Sequence, residues 1–363
     1  MSALVNEGKP LFGHSNPNDF PVPEEVINNT YDKLLQSLEK FRFNGTALVA
    51  VQNQVIFEKA RGFADFKTKN SISLESSFQL ASVSKSFTAL SIMILKERKL
   101  LDYDDMITKY LPDFPYPDIS IRHLLNHTSG LQNYMFLVDN YWQADKPISN
   151  QEMLNLMISH NLPLNYLPGR RFAYSNTGYA ILALVTEKIS GQFFGDFLKA
   201  EIFDKLGMTQ TYVYDRNKIE QDSNQVIGYN ASGRRLHAYY HDPNNEILGD
   251  KSVYSSVGDL FKFTKALNKY EIVSKEILDE AYTSAKLKNY MVNYGFGWRM
   301  KEENNHNYIF HNGAWHGFST TITQDLDKGI TLVLLNNTNV SIETIKQELL
   351  NIIHEELDPY LSN

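Results

Sequence analysis

The chain has 363 residues, 42% hydrophobic and 21% charged, with a formal net charge of −7 and a pI near 5.8. Such a length allows a sizeable core and suggests two lobes, and the acidic balance speaks against a nucleic-acid partner or an anionic membrane surface. Cysteine is absent, which removes disulfides, thiolate catalysis and cysteine-based zinc sites but leaves the compartment open.

No apolar run approaches about 18 residues, so no transmembrane helix is expected. Met1–Phe20 is polar and rich in Pro, Gly and Asn, without the apolar stretch of a signal peptide. The expected location is the cytoplasm, or the periplasm or exterior if a leader has been removed. Residues 23–42 carry apolar positions at helical spacing. Gly45–Glu58 reads as two strands around a Gln52-Asn53-Gln54 turn, followed by a loop over 62–76. An apolar helix then runs from Ser82 to about Arg98. From there to about residue 245 the pattern is helices and long loops, broken by Pro112, Pro115, Pro117 and Pro147. Helices are expected at 121–125, 150–159, 176–190 and 194–206. The third has Asn176 or Thr177 as its N-cap and Gly191 just past its end. Strand texture returns at 296–300, 308–310, 318–323 and 330–335, and 341–357 closes as an amphipathic helix. Strands from both termini with helices between them imply an antiparallel sheet and a helical insertion. The expected division is a discontinuous sheet domain (21–100 and 246–363), a mainly helical inserted domain (101–245) and an N-terminal extension (1–20).

Ser82-Val83-Ser84-Lys85 places a hydroxyl and an amine three residues apart, on one face of a helix. Serine is a poor nucleophile until a base takes its proton. Lysine can be that base where a dry setting lowers its pKa, and Leu80, Ala81, Phe87, Leu90 and Ile92 supply apolar surroundings. The spacing alone is weak, since Ser37-Leu38-Glu39-Lys40 repeats it on what reads as a surface helix. Two further motifs strengthen it. Tyr174-Ser175-Asn176 lies on a turn before a helix. A phenol beside a cationic lysine can serve as general acid or base, and the Asn176 amide can orient Lys85 or a substrate carbonyl. Taken alone, the tripeptide is equally a packed aromatic and a helix cap. His311-Asn312-Gly313-Ala314 ends a strand, where Gly313 lets the backbone pass close to a ligand. The Ala314 N–H can pair with that of Ser82 as an oxyanion hole. His311 is read as binding a substrate carboxylate or polarising Tyr174, against the alternative of a structural histidine.

The three motifs in this order resemble those of the serine β-lactamase and penicillin-binding-protein superfamily. The Tyr-x-Asn and His-x-Gly forms are similar to its class C branch of esterases, D-aminopeptidases and D-alanyl-D-alanine carboxypeptidases. Leu124-Leu125-Asn126-His127-Thr128-Ser129-Gly130-Leu131, Pro168-Gly169, Leu206-Gly207-Met208, Tyr254–Leu260 and Tyr294–Trp298 resemble further landmarks of the family, over about residues 25–355. The resemblance implies an α+β fold: an antiparallel sheet with helices on both faces, plus an all-helical lobe, with the active site between them. It implies Ser82 as the acylated nucleophile, Lys85 and Tyr174 as its activating pair, and Asn176 on the amide side of the substrate. His311 stands where many relatives carry the lysine of a Lys-Thr-Gly motif. That exchange of a fixed cation for a titrating imidazole points to a peptidase or esterase rather than efficient β-lactam turnover.

The expected function is two-step acyl transfer from a small-molecule or peptide ester or amide to water, with no cofactor and no metal. Three other readings stay open: a true class C-type β-lactamase, a penicillin-binding sensor, and a non-catalytic scaffold of the same fold. A metallohydrolase is the competitor from another class, through His123/His127 or His237/His241 at four-residue spacing. No His-Glu-x-x-His supports it, and no Gly-x-Ser-x-Gly elbow supports an α/β-hydrolase. The aromatic stretch Gln132–Asp145 reads as a loop that lines the cleft or packs on the helical lobe. Nothing in the sequence sets an oligomeric state.

Overall fold

The structure, a computed structural model, describes residues 20–143, 146–215, 224–232, 235–239, 243–288 and 290–361. Helix α1 (Glu24–Lys40) leads into strands β1 (Gly45–Val51) and β2 (Gln54–Arg61). Short strands β3 (Phe63–Asp65), β4 (Asn70–Ser71) and β5 (Phe78–Gln79) and a 3₁₀ turn (Ala81–Val83) precede α2 (Ser84–Glu97). The helical stretch comprises α3 (Ile121–Leu125), α4 (Tyr134–Tyr141), α5 (Asn150–His160), α6 (Asn176–Ser190), α7 (Phe194–Leu198) and, after a π turn, α8 (Asp204–Leu206). Strands β6 (Tyr212–Val213), β7 (Gly228–Ser232), β8 (Arg235–Tyr239) and β9 (Val253–Ser255) follow, then α9 (Val257–Asn268) and α10 (Lys275–Ala281). The chain closes with β10 (Ala285–Lys286), β11 (Met291–Val292), β12 (Arg299–Glu303), β13 (His306–Trp315), β14 (Phe318–Asp325), β15 (Ile330–Asn336) and α11 (Ile342–Leu357). Among the described residues, no helix is long and apolar enough to cross a membrane.

One six-stranded sheet joins the two ends of the chain in the order β12-β13-β14-β15-β1-β2, with every neighbouring pair antiparallel. β1 and β15 lie inside it, each paired on both sides, and are buried along their whole length. A strand presents alternate residues to opposite faces, so both strands divide their apolar side chains between two cores. Leu48, Ala50, Val333 and Leu335 face one core with α2 and α9, while Ala47, Val49, Leu332 and Leu334 face the other with α1 and α11. The sheet therefore carries helices on both faces, as the resemblance implied. The first core continues without a break into α3–α7, so the helical stretch and the sheet share one apolar interior.

Helix α2 runs through that interior, and every residue from Ser84 to Leu95 is buried. A helix covered on all sides needs no polar face, which explains the apolar flanks around the Ser-x-x-Lys motif. Helix α6 spans the expected residues, but its cap differs. Ser175, extended at φ −131°, accepts from the Gly178 N–H at 3.3 Å, where Asn176 or Thr177 had been the candidates. Asn176 thereby becomes the first helical residue and keeps its side chain for other work. The 132–145 stretch is largely helix rather than loop: α4 buries Tyr134 completely and packs Trp142 against the main core, while Asp145 lies outside the described residues. Residues 237–239 belong to a β7–β8 hairpin, and His241 lies outside the described residues.

Leu349 of α11 is fully buried in the core on the far side of the sheet from α2. Leu349→Ala is expected to lower unfolding stability by about 2–5 kcal/mol, read as a reduced urea midpoint at unchanged slope.

Candidate active site

Ser82 lies on the 3₁₀ turn that opens α2, reached through Ala81 at φ +50°. A left-handed alanine is sterically costly, and the flanking contacts hold it there. The Leu80 N–H donates to Val253 O at 2.8 Å, and the Leu80 carbonyl accepts from Thr320 Oγ1 at 2.7 Å. Ser82 remains partly exposed while its neighbours on either side are buried. The turn thus pushes one hydroxyl out of a dry segment.

Lys85 is fully buried. Its Nζ donates to Asn176 Oδ1 at 2.8 Å and to the Asp250 carbonyl at 2.8 Å, and it lies 3.3 Å from Ser82 Oγ. Burial in low dielectric disfavours the ammonium. The Asp250 carboxylate opposes that shift and the Arg299 guanidinium adds to it, leaving the pKa at about 7. The ammonium end also lies 4.9 Å from the Tyr174 ring centroid and 5.6 Å from that of Tyr179. The Tyr174 hydroxyl is buried without a hydrogen-bond partner among the described residues. Burial drives its pKa upward, with nearby Ser82 and Arg299 opposing. Tyr174 is therefore a protonated phenol at neutral pH.

Two glycines set the distances. A Cβ on Gly313 would sit 2.2 Å from Leu80 O, 2.4 Å from Thr320 Oγ1 and 3.1 Å from Ser82 N, so only glycine lets β13 pass this close to the serine turn. Gly297, at φ +78°, would put a Cβ 2.8 Å from Lys85 O; its place against α2 brings the start of β12 over the site. β13 and β14 are joined by His316 (φ +41°) and Gly317 (φ +85°), the left-handed pair of a two-residue hairpin. Residues flanking such a turn exchange hydrogen bonds, and the pairs alternate from there. Gly313 consequently bonds to β14, while the N–H groups of Asn312 and Ala314 point to the opposite edge. β12 covers that edge only as far as Phe310, and Ala314 is exposed on it.

A cleft of about 980 Å³ opens here, lined by Ser82, Tyr174, Arg299, Gly313, Ala314 and Trp315 among others. Lys85 and Asn176 lie beneath its floor. His311 does not line it: the ring is 1% exposed, with its Nε2 3.0 Å from Tyr294 OH and its Nδ1 2.8 Å from Asn312 O. Those partners assign the proton to Nδ1, donating to the carbonyl, and leave Nε2 to accept from the phenol. Burial, with Lys85 and Arg299 nearby, holds its pKa well below the usual histidine range. The titrating imidazole expected at this position is thus a neutral one, and its ring meets Tyr174 only at a 6.1 Å centroid distance.

Arg299 and Asp250 were not singled out from the sequence, and His127 entered it only as a metal-ligand candidate and within a family landmark. Arg299 caps the aromatic wall, its guanidinium 5.3 Å from the Tyr174 ring and 5.7 Å from that of Tyr294. The visible clue was its place directly after the Tyr294–Trp298 landmark, on a strand that pairs beside His311. Asp250, besides holding Lys85 by its carbonyl, accepts from Tyr134 OH at 3.0 Å and pairs with buried Lys251 at 3.2 Å. His127 packs on Tyr174 at 4.3 Å and Tyr294 at 4.5 Å, accepts from the Ser175 N–H at 3.1 Å, and is held neutral by burial and nearby cations. His123 and His127 therefore do not act as a pair of ligands. The His127 Nδ1 lone pair is taken, and the His123 Nδ1 accepts from the Ser120 N–H at 3.2 Å.

Gly313→Ala is expected to lower kcat/KM for a nitrophenyl ester by about 100-fold, because the added methyl must displace the serine turn or β13 by a sizeable fraction of an ångström. Steady-state kinetics beside a thermal melt will separate this from unfolding.

Comparison with known proteins agrees with this geometry. The sequence model of the family described as Beta-lactamase matches residues 32–354. Penicillin-binding protein 4* of Bacillus subtilis is 36% identical over 320 residues, covering 82% of this chain and 69% of the relative. A teichoic acid D-alanine hydrolase of Staphylococcus aureus is 25% identical, covering 90% and 80%. The crystal structure of a penicillin-binding protein from Bacillus halodurans superposes with a TM-score of 0.78 at 24% identity, covering 88% of this chain and 98% of that one. The match over almost the whole chain places it plainly: this protein belongs to the beta-lactamase family.

Proposed function

We propose that the protein is a serine hydrolase that forms an acyl-enzyme on Ser82 and cleaves esters or amides carrying an anionic group beside the scissile bond. One observation carries the reading. A neutral amine has two N–H donors and one lone pair, and two carbonyl acceptors, Asn176 Oδ1 and Asp250 O, take both donors of Lys85. The lone pair is then left for the third neighbour, the Ser82 hydroxyl at 3.3 Å. With a pKa of about 7, Lys85 is substantially neutral at physiological pH and matched to general-base work. Tyr174, held protonated by burial with Ser82 beside its hydroxyl, is the proton donor.

In the first step Ser82 Oγ attacks the carbonyl carbon while its proton passes to Lys85. The developing oxyanion is stabilised by the N–H groups of Ser82 and Ala314. The C–O or C–N bond breaks as the leaving group takes the Tyr174 proton, which Lys85 replaces. Water then attacks the ester carbonyl, giving a proton to the same pair; the acyl–Oγ bond breaks as that proton passes to Ser82 Oγ, and the acid departs. Arg299, the cation at the rim, binds the substrate's anionic group, and Asn176 steadies the amide side. The staphylococcal relative named as a teichoic acid D-alanine hydrolase supports D-alanyl esters or amides as the acyl class to test first.

Ser82→Ala is expected to abolish nitrophenyl-ester hydrolysis and fluorophosphonate labelling while leaving the circular dichroism spectrum unchanged; residual turnover at the wild-type rate would overturn the assignment. For the wild type, kcat/KM should rise with pH through a midpoint near 7, because only the neutral amine accepts the serine proton. Arg299→Gln removes a cation that depresses the Lys85 pKa, so that midpoint should move upward. Measured at pH 9, well above both midpoints, the same variant should raise KM for a carboxylate-bearing D-alanyl peptide about 10- to 100-fold more than for a neutral ester.

A further inference from the structure

At the end of β13 remote from Ala314, four titratable side chains converge from three elements. His306 opens β13, Asp325 closes β14, His354 lies in the last turn of α11 and Asp358 follows it. His306 is 7% and Asp325 2% exposed. Eight residues of extended strand separate His306 from Ala314, about 26 Å at roughly 3.3 Å per residue, so the cluster plays no part in the chemistry at Ser82.

We propose that His306, Asp325 and His354 form a binding site for a divalent transition-metal ion, zinc by its donor chemistry, which fastens the C-terminal helix to the sheet. One donor atom from each lies within 4.8 Å of the other two. His306 Nδ1 is 2.7 Å and His354 Nε2 3.8 Å from Asp325 Oδ2. Donors around a tetrahedral zinc at about 2.0–2.2 Å stand about 3.3–3.5 Å apart, and the observed separations straddle that value. Two imidazole nitrogens and a carboxylate are a common zinc donor set, with one position left for a further oxygen.

The orientation of the groups favours an ion over a simple charge network. Asp358 lies 3.0 Å from His354 Nδ1 and 3.3 Å from His306 Nε2. It thus accepts from His354 Nδ1 and leaves that ring's Nε2 with its lone pair, the tautomer a ligating histidine needs, while His306 Nδ1, hydrogen-bonded to Asp325 Oδ2 at 2.7 Å, gives up its proton when the ion binds. Asp325 Oδ1 is occupied by the N–H groups of Asp327 at 2.9 Å and Lys328 at 3.1 Å, so Oδ2 is the oxygen presented inward. The two imidazoles stand with centroids 4.0 Å apart. Among the described residues, the ion pairs of Asp325 and Asp358 are with these same two rings. Tyr308 OH is 2.6 Å from His354 Nε2; an ion taking that lone pair turns the phenol aside, which makes Tyr308 a reporter of binding.

The test is calorimetric titration of the EDTA-treated, dialysed full chain with zinc chloride near pH 7.5. One zinc per chain at micromolar Kd or tighter is expected, weakened at least 10-fold in both His306→Ala and His354→Gln. Nitrophenyl-ester turnover should stay unchanged in these variants and in the stripped wild type. No saturable binding by the wild type, or undiminished binding by both variants, overturns the proposal. If the variants fail to fold, the wild type with cobalt chloride decides. Intense visible d–d bands of four-coordinate cobalt, with a change in tyrosine absorbance, support the site, whereas the weak spectrum of hydrated cobalt overturns it.

Discussion

The constraint on which this structure turns is the burial of a lysine amine. Removing an ammonium from water is expensive unless it is paired, hydrogen-bonded or discharged. Lys85 combines the last two: carbonyl oxygens from Asn176 and Asp250 take its hydrogens, and a depressed pKa lightens the charge. Each device comes from a different part of the chain. Asn176 is free for the task because Ser175 caps α6 in its place. The Asp250 carbonyl is fixed because its own carboxylate is tied to Tyr134 and Lys251. The dryness comes from α2 being buried from Ser84 to Leu95. A base of this kind is a property of the assembled core.

The electrostatics of the surrounding wall follow from the same dryness. His127 and His311 are both buried and both held neutral, so the two imidazoles act as packing and hydrogen-bonding groups among Tyr174, Tyr179 and Tyr294. Had His311 carried charge, it would have pushed the Lys85 pKa down further and competed for substrate anions. Among the described residues that line the cleft, its neutrality leaves Arg299 as the fixed cation. The resemblance implies a lysine on this strand in many members of the family; here the positive charge stands one strand over, on β12.

Local sequence carried much of this site and stopped where tertiary contact began. Ser82 and Lys85 are joined by helical spacing, and Tyr174 and Asn176 by a turn before a helix, so each pair was legible by itself. The strands and the antiparallel sheet followed from alternation and short turns. Arg299 was not legible, because an arginine at a strand start resembles any solvated charge until β12 is registered against β13. Asp250 escaped for another reason: it contributes a backbone carbonyl, which no side-chain pattern announces. The 132–145 stretch was misread as loop because β-branched and aromatic residues weaken helix propensity, and packing of Tyr134 against Lys251 and Asp250 outweighs it.

Strand β13 explains how one element serves two purposes. Its Ala314 end is bare beyond Phe310, and in the proposed reaction the Ala314 N–H beside Gly313 meets the substrate. An unpaired edge is a liability for any sheet, and the hairpin at His316 and Gly317 confines it to the few residues beyond the reach of β12. Its His306 end is the reverse, paired on both sides and gathered with Asp325, His354 and Asp358 under α11. The two ends differ because β12 pairs with β13 from His306 only as far as Phe310, so the same strand is covered where it meets α11 and open where it meets the cleft.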